Sequence, residues 1–535
     1  MVFGVAAHIE FINTPTPYYR NKLTRAQWFV KGKEIIMHAG CFTVRGPATL
    51  IAGLMPLILS ITSANHDAFA VGFITEVQKL AASDNLPGDF YGWTIDIDDG
   101  TAITGSFPLA PGVAYLYDTK TFVETKLATP VGVTADDAFG SVVSIGGGRA
   151  LVGAPGFPDV GLSGGIYAYD VSTGALDAGL GKITPSDSEN DDEFGFSLAQ
   201  NGTNALVGAL RGNLGSGKAY LFDTATGTQV GDSFTASDGI ASDFFGYSVD
   251  IDGDWALVGA PFDTTVITTN SGAVYLYDLA NNRQETKLTP CPVGEPTCLD
   301  GIEFGWSVAI DGNRAVVGAP NRGLGNGRAY VFNDLRSPTN PIILTPPVSF
   351  DGDDFGYAVD ILGDVVIVGA PADENPADEP NSNAYVYNVR TGMLLDEIPV
   401  SDGAGDDEYG FSVELWNNQA LIGAPLHDLT DQLDEGAAYL FSLGKGGDTD
   451  LDRDIDITDF NAVAINFDPL AQNPPHLWFD GNFDGDLDID ITDFNLLAIN
   501  FAPFGYASQA GLVPEPATLL LVSVSLAILI CWRQR

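Results

Sequence analysis

The sequence predicts an all-β fold: a seven-bladed β-propeller over residues 71–443, closed by its own N-terminal strand. Three observations predict it. First, an aromatic-Gly pair recurs seven times, at Gly92, Gly140, Gly195, Gly246, Gly305, Gly356 and Gly410, and a second glycine follows each one thirteen residues later, at Gly105, Gly153, Gly208, Gly259, Gly318, Gly369 and Gly423. Second, the repeat length varies from 48 to 59 while that inner spacing stays fixed, so a rigid hairpin is joined by elastic loops. A strand-rich period near 50 is the signature of one sheet repeated radially. Third, the last repeat lacks its fourth strand, and a matching strand stands at the front of the domain.

The elements follow in order from one unit. After Asp243-Phe244-Phe245-Gly246, an alternating strand runs Tyr247 to Ile251, and Asp252-Gly253-Asp254 turns the chain back into Trp255 to Pro261. An Asp-Gly turn between two alternating apolar runs is a strong hairpin signal. A variable loop leads to a third strand, Val274 to Asp278, and a fourth, Glu285 to Thr289. The third strand recurs in every blade, as in Ala114-Tyr115-Leu116-Tyr117 and Ala384-Tyr385-Val386-Tyr387. After Phe441 the chain runs directly into Gly444-Lys445-Gly446-Gly447, so Glu76 to Ala81 is expected to complete the last blade. Closure removes the exposed sheet edges that invite aggregation.

Phe-Gly followed by Gly-Ala-Pro resembles the FG-GAP repeat, the blade unit of integrin α-chain propellers and of many exported bacterial proteins. The resemblance implies an integrin-like propeller and a role in binding or adhesion. In integrin-type blades an Asp-rich calcium loop often joins the first two strands. Here that connection is a tight turn, such as Asp311-Gly312-Asn313, as in the short bacterial form. Two features of the blades bear on function. The residue after the Phe-Gly glycine is aromatic at Trp93, Phe196, Tyr247, Trp306, Tyr357 and Phe411, with Ser141 the exception. Such rings either stack on sugars or pack between blades. Acidic loops precede the Phe-Gly pairs, as at Asp187 to Glu193 and Asp402 to Glu408, and are either calcium-binding or solvated turns.

Residues 444–503 contain one pattern twice. Asp448, Asp450, Asp452, Asp454, Asp456 and Asp459 form the first loop; Asn482, Asp484, Asp486, Asp488, Asp490 and Asp493 form the second. Oxygen donors at loop positions 1, 3, 5, 9 and 12, with a carbonyl at 7, suit the six-to-eight oxygen shell of Ca²⁺. Ile455 and Ile489 can pair the loops, and the apolar stretches from Phe460 and from Phe494 read as exiting helices. The pattern resembles a dockerin-type tandem of half EF-hands, which implies Ca²⁺ as the bound ion and a cohesin as a partner. Arg453 and Leu487 stand where the EF-hand has glycine. The alternative is an acidic linker.

The ends read as addresses. Lys31, Lys33 and Arg45 precede an apolar run from Ala48 to Ile61, and Ala68-Phe69-Ala70 has the form of a signal-peptidase site. Residues 1–70 are therefore expected to be a signal peptide, with Met37 a better-placed start; a buried strand or helix is the alternative. After a linker at 504–512, residues 513–535 hold Pro514-Glu515-Pro516, an apolar run from Ala517 to Trp532 and a basic end. This order resembles a PEP-CTERM sorting signal, which implies a membrane segment cut by an exosortase-type protease. A plain C-terminal anchor is the alternative. Both place the bulk of the chain outside the cytoplasmic membrane. Cys291 and Cys298, with six residues between them in one loop, are expected to form a disulfide in an oxidising compartment, or to remain two free thiols.

A net charge of −46 makes nucleic acid and anionic membrane surfaces poor partners and cations natural ones. Only His427 and His476 would survive processing, which leaves little for a histidine triad or a His-rich zinc site. A carboxylate pair for glycoside cleavage stays open. The sequence reads best as a non-enzymatic, exported scaffold that binds a glycan or protein. A dockerin-bearing component of a polysaccharide-degrading assembly and a glycoside hydrolase or lyase are the alternatives.

Overall fold

The computed structural model describes residues 26–30, 33–37 and 74–443, the last apart from residues 85, 108–111, 157–160, 265–270, 291–300, 322–326, 348–352, 372–382, 399, 401, 403–406 and 430–433. Cys291, Cys298, all twelve expected calcium ligands, the apolar run Ala48 to Ile61 and residues 513–535 lie outside the described residues. The N-terminal unit holds one antiparallel hairpin, Ala26–Val30 with Lys33–Met37. No helix among the described residues is long and apolar enough to cross a membrane.

Residues 74–443 build seven four-stranded antiparallel sheets, with, among the described residues, one turn of α-helix at Gly212–Gly215 and one 3-10 turn at Ala135–Asp137. In six blades the four strands follow one another in the chain. Blade 4 shows the plan: Val249–Asp252 innermost, then Trp255–Ala260, Ala273–Asp278 and, outermost, Gln284–Leu288. Blade 7 combines Ser412–Trp416, Gln419–Ala424 and Ala437–Ser442 with Thr75–Leu80 as its outer strand. Thr75 lies opposite Ser442 and Leu80 opposite Ala438, with a bulge between Glu76 and Gln78. The front strand thus closes the ring as its sequence predicts.

Burial follows the radius. The second and third strands have neighbours on both faces, so Val365–Ala370 is buried along its whole length. The outer strands alternate, as in Gln284–Leu288, because only one side meets protein. The hydrophobic core is distributed over the seams between blades. One seam packs Ile367 and Val386 of blade 6 against Tyr409, Val413 and Tyr439 of blade 7. Another packs Leu80, Leu421 and Leu440 of blade 7 against Tyr91 and Tyr115 of blade 1.

The thirteen-residue spacing has a physical cause. Gly246 donates its N–H to the carbonyl of Gly259 at 3.0 Å, and Gly305 to Gly318, Gly356 to Gly369 and Gly410 to Gly423 do the same. Gly246 has φ +91°, which only glycine adopts without strain. Its partner is fixed by space: a methyl group on Gly259 would lie 2.2 Å from the carbonyl oxygen of Gly305 in the next blade. That oxygen also accepts the Ser248 hydroxyl at 2.8 Å. The two glycines of each repeat therefore hold one blade together and seat it against the next.

Candidate functional site: an aromatic collar over an acidic channel

The inner strands of all seven blades line an axial channel with a cavity of about 360 Å³. At the end where these strands begin, the aromatic residues after the Phe-Gly glycines touch one another from blade to blade. Ring centroids lie 5.2 Å apart for Phe196 and Tyr247, 4.6 Å for Tyr247 and Trp306, and 5.5 Å for Trp306 and Tyr357. The chain continues through Phe411, 4.8 Å from Tyr357, to Trp93, 4.4 Å from Phe411, and ends on Phe107. Six blades contribute, and the gap falls at Ser141 of blade 2. The rings pack between blades, the second of the two expectations, and all but the buried Trp306 are half-buried.

Behind the collar the channel is acidic. Four residues beyond the Phe-Gly glycine stand Asp96, Asp250, Asp360 and Glu414, in blades 1, 4, 6 and 7. Each inner strand has an edge with no further strand to pair, so its N–H groups need acceptors. The three aspartates supply them in one pattern. Asp250 accepts from its own neighbour Ile251 at 2.7 Å and from Ile310 of the next blade at 2.6 Å. Asp360 accepts from Ile361 and Leu415, and Asp96 from Ile97, Ile145 and the Ser144 hydroxyl. The blade that follows each aspartate has Ser144, Ala309 or Glu414 at the same position, and the N–H taken is that of the next residue, Ile145, Ile310 or Leu415. Asp252 and Asp311 repeat the stapling two residues on, taking the N–H groups of Gly312 and Gly363.

Glu414 falls outside this pattern. The N–H of Leu415 is taken by Asp360, and that of Ile97 by Asp96. Burial pushes the Asp96 carboxyl up to about 6 and the Asp250 carboxyl up to about 7. Burial, and then the other channel carboxylates, hold Asp360 and Glu414 well above the ordinary carboxylate range. The channel thus favours protons or other positive charge. Sequence reasoning missed this set. The signal was an aspartate inside an otherwise apolar strand, as in Val249-Asp250-Ile251, where a two-residue alternation alone does not say which face meets the axis.

The acidic loops lie on the collar side and are tied down by lysine and tyrosine. Asp402 takes the Lys79 ammonium at 2.6 Å and the Tyr439 hydroxyl at 2.9 Å. Asp84 does so with Lys126 and Tyr115, and Asp238 with Lys287 and Tyr275. Asp187 takes Lys218 at 2.8 Å. In blade 7 the buried His427 joins the group, its Nδ1 2.8 Å from Asp407 and its Nε2 3.3 Å from Lys79.

The FG-GAP repeat family matches residues 74–117, 180–222, 231–277, 298–332, 342–387 and 397–441. Six of the blades match as FG-GAP repeats. The match covers six of the seven; the blade built from Val143–Gly146 onwards falls between the first two matched segments. Among solved structures, the chain is similar to the β-propeller domain of the Trilobed protease from Pyrococcus furiosus, described as having an open velcro topology. That likeness is at 13% identity and a TM-score of 0.39, over 62% of this chain and 90% of that one. No curated protein matches the chain.

Proposed function

We propose that the FG-GAP propeller is a non-enzymatic binding platform on an exported, calcium-binding protein of the cell surface or extracellular matrix, and that its ligand is a glycan or a protein. The observation that carries this reading is the aromatic collar. Half-buried rings arranged around one mouth of the channel offer flat faces to a sugar or to an apolar or cationic side chain, and the carboxylates behind them favour a ligand with positive charge. The repeats present similar residues around the ring, a pattern that builds a surface. The paired loops at residues 444–503 support Ca²⁺, bound through Asp448 to Asp459 and Asn482 to Asp493, and the two terminal segments support export and membrane sorting.

The test uses the mature protein mixed with extracellular polysaccharide from its source, with calcium or with chelator. Protein depleted from solution and new reducing ends are read in the same tube. The expected result is calcium-dependent depletion without new ends, weakened about tenfold or more by Tyr247→Ala with Tyr357→Ala, since stacking contacts of this kind are each worth about 1 kcal/mol. New reducing ends would replace this reading with a glycoside hydrolase or lyase. Binding only to a cohesin would replace it with a dockerin-bearing component of a polysaccharide-degrading assembly.

A further inference from the structure

Glu414 is the channel carboxylate that the fold leaves unanswered. Asp96, Asp250 and Asp360 accept N–H groups from the blade edges. Glu414 stands at the same level, is enclosed by the surrounding protein and, among the described residues, accepts from no donor. The surface it keeps belongs to the cavity wall. A buried carboxylate without a donor is costly unless positive charge joins it. Two residues further along the inner strands, Asp98, Asp252 and Asp311 line the cavity at a second level. Residues two apart on a strand are separated by about 6.5–7 Å. The wall ends at the exposed turn residues Gly147 and Gly202, so the cavity opens at the end opposite the collar.

The placement of these groups selects the kind of cation. Among the described residues no three acidic, cysteine or histidine side chains converge to hold a metal ion. The acceptors are spread around the channel and over two levels, with Ile97, Ile251, Ile310 and Ile361 lining the stretch between. That spacing suits ammonium groups joined by a flexible apolar chain. We propose that the channel binds a linear aliphatic diamine or polyamine through this far mouth, with one ammonium at Glu414 and the next at the level of Asp98, Asp252 and Asp311. An ammonium brings three N–H donors together with the compensating charge. The site is separate from the collar, and depletion of the protein by polysaccharide neither requires nor reports it.

Equilibrium dialysis of the full chain against labelled spermidine tests this. Physiological ionic strength screens loose attraction to the acidic surface, and the measurement is made with and without excess calcium, which competes for the acidic loops at residues 444–503. One saturable site per chain is expected, retained in calcium and open to competition by putrescine. Glu414→Gln keeps the side-chain shape and removes its charge, so affinity should fall about tenfold or more, the worth of a charge-assisted hydrogen bond. It also removes an unanswered buried charge, so its urea midpoint should not fall. Ala199 holds the same position in blade 3 and lines the same cavity. Ala199→Leu fills channel space without changing charge and should weaken binding to a similar degree. Asp136→Asn removes an exposed carboxylate outside the channel and should leave binding unchanged. Absence of a saturable site would overturn the proposal. So would binding that survives in either channel variant, that falls equally in Asp136→Asn, or that calcium abolishes.

Discussion

At the scale of single residues, Asp250 is the most informative side chain. It accepts the N–H of its own neighbour Ile251 and that of Ile310 across a blade seam, yet burial pushes its carboxyl up to about 7. The folded state therefore holds a proton that the unfolded chain, with an aspartate near its ordinary value, releases. The associated stability is fully present below the ordinary aspartate range and is lost as pH rises through about 7. Asp96 acts in the same direction through about 6. The urea midpoint is expected to fall from pH 5 to pH 8. Asp250→Asn should reduce that slope by up to about 1.4 kcal/mol per pH unit, and should cost stability at pH 5, where one carboxyl acceptor is lost. An unchanged slope would mean that Asp250 does not hold the proton.

At the scale of elements, the blade was legible because its defining contacts are local. The bond from Gly246 to Gly259 spans one hairpin, and sequence spacing records it directly. The strand limits shifted by one or two residues where glycine intervened. The inner strand of blade 4 begins at Val249, because the positive φ of Gly246 turns Tyr247 out of the pleat and into the collar. A strict alternation starting at Tyr247 does not contain that turn. The collar was legible as a recurring aromatic position, but the carboxylate staples were not, because each joins residues about fifty positions apart, in different blades. The missing fourth strand was legible as an absence, and it leads to a clear expectation. Deleting residues 71–82 removes Lys79 and Leu80 and strips the seam between blades 7 and 1. Unfolding should be destabilised throughout and should remain one transition, followed by circular dichroism in urea. Loss confined to blade 7, with the other blades unfolding at their original midpoint, would show that the ring does not depend on its closure.

At the scale of the whole molecule, charge and topology act together. A net charge of −46 on 535 residues is self-repelling in any compact state. The propeller gathers four of its acidic side chains along its axis, at Asp96, Asp250, Asp360 and Glu414, and Asp96 and Asp250 are the first of them to take up charge as pH rises. Monovalent salt screens such repulsion, so the urea midpoint at pH 8 is expected to rise with sodium chloride, and less so in Asp250→Asn. A midpoint insensitive to salt would mean that the channel carboxylates are already neutral at that pH.

The pairing of Thr75 with Ser442 spans 367 residues of chain. Contacts between such distant segments form late and slowly, because the loop between them must first be closed. A nascent chain interrupted anywhere before the last third strand keeps two raw sheet edges, one at each end of an open arc. Those edges are a visible mark of incompleteness, available to chaperones and proteases. The strand made first is buried last, so a sealed ring certifies that every blade between has been made.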